Sequence, residues 1–306
     1  MSVSVLGVIL TCVSSSVIGV WCGMELSFFG VIPLLVGSSP GEVESAFKYF
    51  MVQVVGSGFM LVSFISVYVE GFMWLVWFFF MVGMMMKIGV FPFHSWVPSV
   101  SGFLSGGGLF LVLGMQKIAP FYFLSGVGLP SCAFSVFLSF GLVSSLVGAL
   151  GGLSQVMLRP LLGYSSLAHS GWLVALSLVD WVGFMLYFSV YILLLFLTIM
   201  VSSNRGFGYS LSVACYMLSL GGLPPFLGSF GKLVGMKYLI SGSVVVVSVL
   251  IACSIISVGY YGWMFICLNL KGVEQRLDSS SYFNSGEHVV FNFMSGLILM
   301  MGIFMV

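Results

Sequence analysis

Met86-Lys87-Ile88-Gly89-Val90-Phe91-Pro92-Phe93-His94-Ser95-Trp96-Val97-Pro98 follows an apolar run and interrupts it with a lysine, a glycine and a proline. Proline withdraws a backbone donor and its ring collides with the preceding turn. A helix over 71–91 must therefore stop here, and 93–100 restarts as a half-helix. Gly221-Gly222-Leu223-Pro224-Pro225 breaks a second helix, expected over 209–239, in the same way. Interrupted helices in corresponding positions of two halves point to inverted repeats with a site near the bilayer midplane.

The rest of the chain agrees with a membrane setting. Its 306 residues are 60% apolar and 6% charged, with nine Lys/Arg against eight Asp/Glu. A soluble chain carries about 25% charged residues, and far fewer cannot cover its surface. The chain is therefore read as an all-α, polytopic integral membrane protein. No cluster of basic residues is present, which excludes nucleic acid as a partner, since phosphate binding needs grouped Lys/Arg. Cys12, Cys22, Cys132, Cys215, Cys253 and Cys267 lie in apolar segments without CxxC spacing. They are read as small buried apolar side chains and not as a disulfide framework or a metal site. Neither a cleaved signal nor a transit peptide is expected at the N-terminus.

A spanning helix needs about 20 apolar residues, and with its connection takes about 28, so the length accommodates about eleven. Breakers and polar punctuation divide the chain into helices at 2–13, 17–37, 42–68, 71–91, 103–125, 130–151, 157–179, 181–202, 209–239, 242–269 and 289–306. This makes two five-helix repeats, 1–128 and 129–269, each with a broken fourth helix. A polar stretch at 270–288, read as a surface loop or an interfacial helix, and a final helix at 289–306 follow. An odd number of spans per repeat gives the two repeats opposite topology. On this count the N-terminal face receives Lys48, Arg159, Arg205, Lys271 and Arg276. The opposite face receives Lys237, with Glu70 and Asp180. That bias directs the N-terminus to the compartment in which the chain is made.

Four ionisable residues fall inside apolar spans: Glu25, Lys87, Lys117 and Lys232. Each costs about 2.5–3.5 kcal/mol to insert at a span's centre, so such residues mark functional sites by default. Lys87 and Lys232 also flank the two helix breaks, where freed carbonyls and water can solvate an ammonium. Taking a lysine out of water disfavours its charged form, and a nearby carboxylate restores it. Making and breaking a Glu25–Lys87 contact would thus load and unload a proton, which lysines in series pass along. The bland alternative is a set of static pairs that lock helices together. His169, among the hydroxyls of Tyr164-Ser165-Ser166-Leu167-Ala168-His169-Ser170, extends a proton path or serves as a hydrogen-bonded structural histidine. His94 is expected along the half-helix, and His288 at the surface. No Ser/His/Asp constellation indicates nucleophilic catalysis, and the 39 glycines form no phosphate-binding loop.

Five motifs together resemble the antiporter-like membrane subunits of respiratory complex I, the NADH–ubiquinone oxidoreductase. They are Trp21-Cys22-Gly23-Met24-Glu25-Leu26-Ser27, the Met86–Pro98 stretch, Gln116-Lys117-Ile118-Ala119-Pro120, the Tyr164–Trp172 stretch and Gly221-Gly222-Leu223-Pro224-Pro225-Phe226. Ala46-Phe47-Lys48-Tyr49-Phe50 fits as well, and the match runs from about residue 17 to 240. The resemblance implies a proton channel built on Glu25, Lys87, Lys117 and Lys232, and an inner mitochondrial membrane location. It also implies an N-terminus in the matrix, a C-terminus towards the intermembrane space, and other membrane-arm subunits and lipids as partners. NADH, FMN, iron–sulfur clusters and ubiquinone would be handled by other subunits, with no cofactor or metal in this chain. Ser99, Pro160 and Gly231 depart from the family pattern, which bears on matrix-side loop contacts more than on the channel. A cation/proton antiporter subunit is the alternative that the buried charges also fit.

Overall fold

The computed structural model describes residues 2–67, 73–203, 207–240, 242–274 and 282–305. They form helices α1 (Ser2–Val13), α2 (Val17–Leu35), α3 (Pro40–Ser66), α4 (Met73–Ile88), α5 (Trp96–Ser101), α6 (Gly106–Phe110) and α7 (Gln116–Gly126). There follow α8 (Ser131–Gly152), α9 (Leu158–Val179), α10 (Trp181–Ser202), α11 (Phe207–Gly221), α12 (Leu227–Ile240), α13 (Val244–Glu274) and α14 (Tyr282–Met305). Among the described residues there is no strand. Seven of the helical segments there are long and apolar enough to cross a membrane, and four shorter apolar helices accompany them. The chain is a multi-pass membrane protein.

Serine and aspartate start these helices by accepting the first orphaned backbone donors. Ser16 Oγ accepts from Gly19 N at 3.1 Å, and Asp180 Oδ2 from Gly183 N at 2.6 Å. Ser39 and Glu42 form a reciprocal capping box ahead of α3, with Pro40 at its first turn. Inside the helices, hydroxyls bond to carbonyls one turn back, which spares the bilayer an unsatisfied polar group. Ser165, Ser166 and Ser170 of α9 are all fully buried in this way, at 2.8, 2.8 and 2.6 Å.

The chain packs as two compact units. One contains 1–148 and 159–178, and the other 149–158 and 179–306. In the first unit α1 lies against α2, α3 against α4, and α8 against α9, around Phe28, Tyr49, Met60, Met84, Phe137 and Trp172. In the second, α11 packs on α13 and α14, and α10 on α12, around Phe184, Tyr216 and Tyr261.

Three features differ from the sequence reading. The helix expected over 103–125 widens into a π turn at Leu111–Met115, immediately before Gln116. Gln116 N–H reaches back five residues to Leu111 O there, and Pro120, inside the helix that follows, offers no N–H to the carbonyl of Gln116. The polar stretch 270–288 is helical at both ends, since α13 continues to Glu274 and α14 begins at Tyr282. Residues 275–281, with Arg276 and Asp278, lie outside the described residues, as do Glu70, Arg205 and the side chains of Lys271 and Glu287. Cys22 and Cys132, expected inside, are exposed on the outer faces of α2 and α8; Cys215 and Cys253 are buried.

Candidate functional site

Lys87 is the penultimate residue of α4, where the helix stops, and it is 5% exposed. Its ammonium donates to Glu25 Oε1 on α2 at 2.7 Å. Stopping the helix here releases backbone carbonyls, and that of Lys87 accepts from Gln53 Nε2 at 3.3 Å. Gly89, at φ +81°, then turns the chain into the break, a conformation that side chains disfavour. The turn also brings Trp96 of α5 against Tyr49 of α3, with ring centroids 5.7 Å apart. His94 lies in the turn before α5, its ring stacked on Phe91.

Lys117 is the second residue of α7, just after the π turn, and is 3% exposed. Its ammonium donates to the backbone oxygen of Ser166 on α9 at 3.1 Å. Gln116 ties the same turn to α2 by a reciprocal pair: its Nε2 donates to Ser27 O at 3.0 Å, and Ser27 Oγ donates to its Oε1 at 3.3 Å. Ser27 is two residues from Glu25, so α2 holds the acid of one site and a tether to the helix of the next. His169 is 7% exposed and lies one turn beyond Ser166 on α9. The neighbouring serine hydroxyls are engaged with backbone carbonyls.

In the second unit, Lys232 lies in α12 and is 6% exposed. Its ammonium donates to Gly221 O at 2.5 Å, a carbonyl at the end of α11. Gly222, at φ +76°, makes the turn and leaves the space the lysine fills: a Cβ there would sit 2.5 Å from Lys232 Cδ. His288 is not at the surface as expected. It is half-buried on α14, with Nδ1 3.2 Å from the hydroxyl of Tyr216.

The structure thus pairs Glu25 with Lys87 and seats Lys117 and Lys232 on backbone carbonyls. A carbonyl dipole holds an ammonium more weakly than a carboxylate does. Such seats suit a charge that changes. The sequence reading passed over Gln53, Ser27 and Gln116 as partners. None is charged, and each acts across a helix pair that no local spacing announces. Among the described residues, no group of three His, Cys, Asp or Glu could hold a metal ion.

Helices broken beside buried ammoniums, in an all-α multi-pass chain, define an antiporter-like membrane subunit. The chain belongs to the NADH:quinone oxidoreductase/Mrp antiporter transmembrane family, which matches residues 14–207. Among its relatives is the NADH-ubiquinone oxidoreductase chain 2 of Mytilus edulis, 34% identical over 289 residues, or 90% of this chain and 87% of that protein. The chain 2 of Lumbricus terrestris is 31% identical, covering 85% of this chain and 83% of its own length. The fold is similar to a chain of respiratory complex I from Thermus thermophilus, with a TM-score of 0.81 at 23% identity over 97% of this chain and 76% of that one. It is also similar to a chain of the Mrp complex from Dietzia sp. DQ12-45-1b, with a TM-score of 0.79 at 13% identity over 99% and 74%.

Proposed function

We propose that this chain is a core membrane-arm subunit of respiratory complex I that carries protons across the inner mitochondrial membrane. NADH oxidation and ubiquinone reduction, with FMN and the iron–sulfur clusters, belong to other subunits; other membrane-arm subunits and lipids surround it. The observation that carries the reading is the Glu25–Lys87 pair at 2.7 Å, its ammonium buried and its carboxylate part-buried, beside a helix break, in a chain with two further buried ammoniums. In this reading the spans number eleven, in inverted repeats over 1–128 and 129–269. Support comes from Gly89 and Gly222, each at positive φ after a helix end and each three residues before a proline.

The chemistry follows from the contacts. While Glu25 is held, Lys87 keeps its proton; when the pair opens, the ammonium loses its counter-ion in a dry setting and releases the proton. Lys117 and Lys232 receive and pass the charge, each returning to its carbonyl seat, and the His169 imidazole extends the path. The N-terminus lies in the matrix and the C-terminus towards the intermembrane space, in keeping with the bias of basic residues.

NADH-driven proton movement in closed inner-membrane vesicles tests this. Lys87→Ala and Lys232→Ala complexes are expected to oxidise NADH while moving fewer protons per electron. Unchanged pumping in both would overturn the relay. The Mrp likeness supports a cation/proton antiporter subunit as a second reading. Co-purification with a rotenone-sensitive NADH dehydrogenase decides for the first, and its absence for the second.

A further inference from the structure

We propose that Asn292 is a positioning residue for Lys232. Through it, α14 straddles the second helix break and holds the two half-helices in the register that seats the ammonium on Gly221. The inference rests on the proton-carrying role given to Lys232 above and extends it to a helix outside both repeats.

The break creates the need. The first N–H groups of α12 have no helical carbonyl behind them. Gly228 N finds Ser219 Oγ at 3.0 Å, and Ser229 N finds Phe226 O at 3.1 Å. Leu227 N is met from outside, by Asn292 Oδ1 at 3.4 Å. The same amide donates through Nδ2 to Cys215 O, also at 3.4 Å. Cys215 is on α11 and Leu227 on α12, so one side chain, 1% exposed, bonds both sides of the break. An apolar residue of that size could pack there but could not answer a donor on one half and an acceptor on the other. A buried amide is costly unless both ends are used.

The neighbours on α14 repeat the pattern. His288, Asn292, Gly296 and Met300 follow at intervals of four, which puts them on one face of the helix. His288 meets Tyr216 on α11. Gly296 lets the backbones touch, since a Cβ there would lie 2.2 Å from Pro225 O. Ser229 Oγ of α12 donates to Met300 Sδ at 3.3 Å. Lys232 is one turn beyond Ser229, and its bond to Gly221 O crosses the break that α14 spans. A shift of α12 against α11 must therefore lengthen that bond, and Asn292 opposes the shift.

The test uses the assembled complex in inner-membrane vesicles, with Asn292→Leu, Asn292→Ser and Gly296→Ala. Two readouts are taken: the rate at which an amine-reactive probe modifies Lys232, relative to exposed Lys237, and the protons moved per NADH. Losing the bonds of one amide is expected to raise relative Lys232 labelling by about fivefold. The proton ratio is expected to fall with it. Raised labelling with an unchanged proton ratio supports the positioning role and overturns the relay role of Lys232. Unchanged labelling in the assembled variants overturns the positioning role. Failure of all three variants to assemble overturns it too, because α14 would then be needed for folding and not for register.

Discussion

Among the three buried lysines described, Lys87 is the one that reaches a carboxylate; Lys117 and Lys232 rest on carbonyl oxygens, and the Lys48–Glu44 pair of α3 is exposed. This difference has a measurable consequence. Removing one member of a buried pair leaves an uncompensated charge, at a cost of about 3–5 kcal/mol, whereas removing both is far less damaging. Lys87→Met alone should therefore lower the thermal stability of the purified complex more than Glu25→Gln/Lys87→Met does, as read in a thermal-shift melt. Gln116→Leu is a milder case. It deletes the reciprocal bonds to Ser27, worth about 1 kcal/mol each, and should leave NADH oxidation intact while lowering the melt slightly. That these four charges lie inside the helical packing and away from the loops was legible from their depth in apolar runs. Which of them pair was not, because Glu25 and Lys87 are 62 residues apart and meet only when α2 and α4 pack.

At the level of elements, the breaks after Ile88 and Gly221 were legible, since glycine and proline act on their own backbone whatever surrounds them. The π turn was not, for it lies in a run whose composition reads as one continuous helix. The break has its own prediction. Gly222→Ala adds a Cβ at positive φ, costing about 1–2 kcal/mol, and pushes against the Lys232 stem. It should reduce protons moved per NADH in the same direction as Lys232→Ala, with smaller amplitude. A contrasting case is Gly7 on α1, where a Cβ would come within 2.3 Å of Ser27 N on α2. Backbone cannot yield there, so Gly7→Val should separate α1 from α2. A loss of assembled complex on native gels, and not a change in proton ratio, is the expected result.

For the whole molecule, orientation is the testable quantity. Gly128, between α7 and α8, and Ser154, between α8 and α9, are both exposed. The proposed topology puts an odd number of spans before the first and one more before the second, so the two are expected to face opposite compartments. Gly128→Cys should react with an impermeant thiol reagent added to intact mitoplasts, and Ser154→Cys only after the membrane is opened. Mass spectrometry of the labelled peptide separates these thiols from Cys22 and Cys132. The reverse pattern would invert the proposed topology.

The class of protein, its broken helices and its buried charges were all determined by the sequence, because hydropathy, proline and glycine act through local chemistry and the bilayer. The partners of those charges were decided by the tertiary structure alone. Ser166 and Gly221 serve through main-chain oxygens that every residue possesses, so no residue type marks them. Asn292 acquires its meaning only when α14, late in the chain, comes to lie across a break some 70 residues earlier. A helix face is written in one segment, but what it covers depends on the packing of all of them.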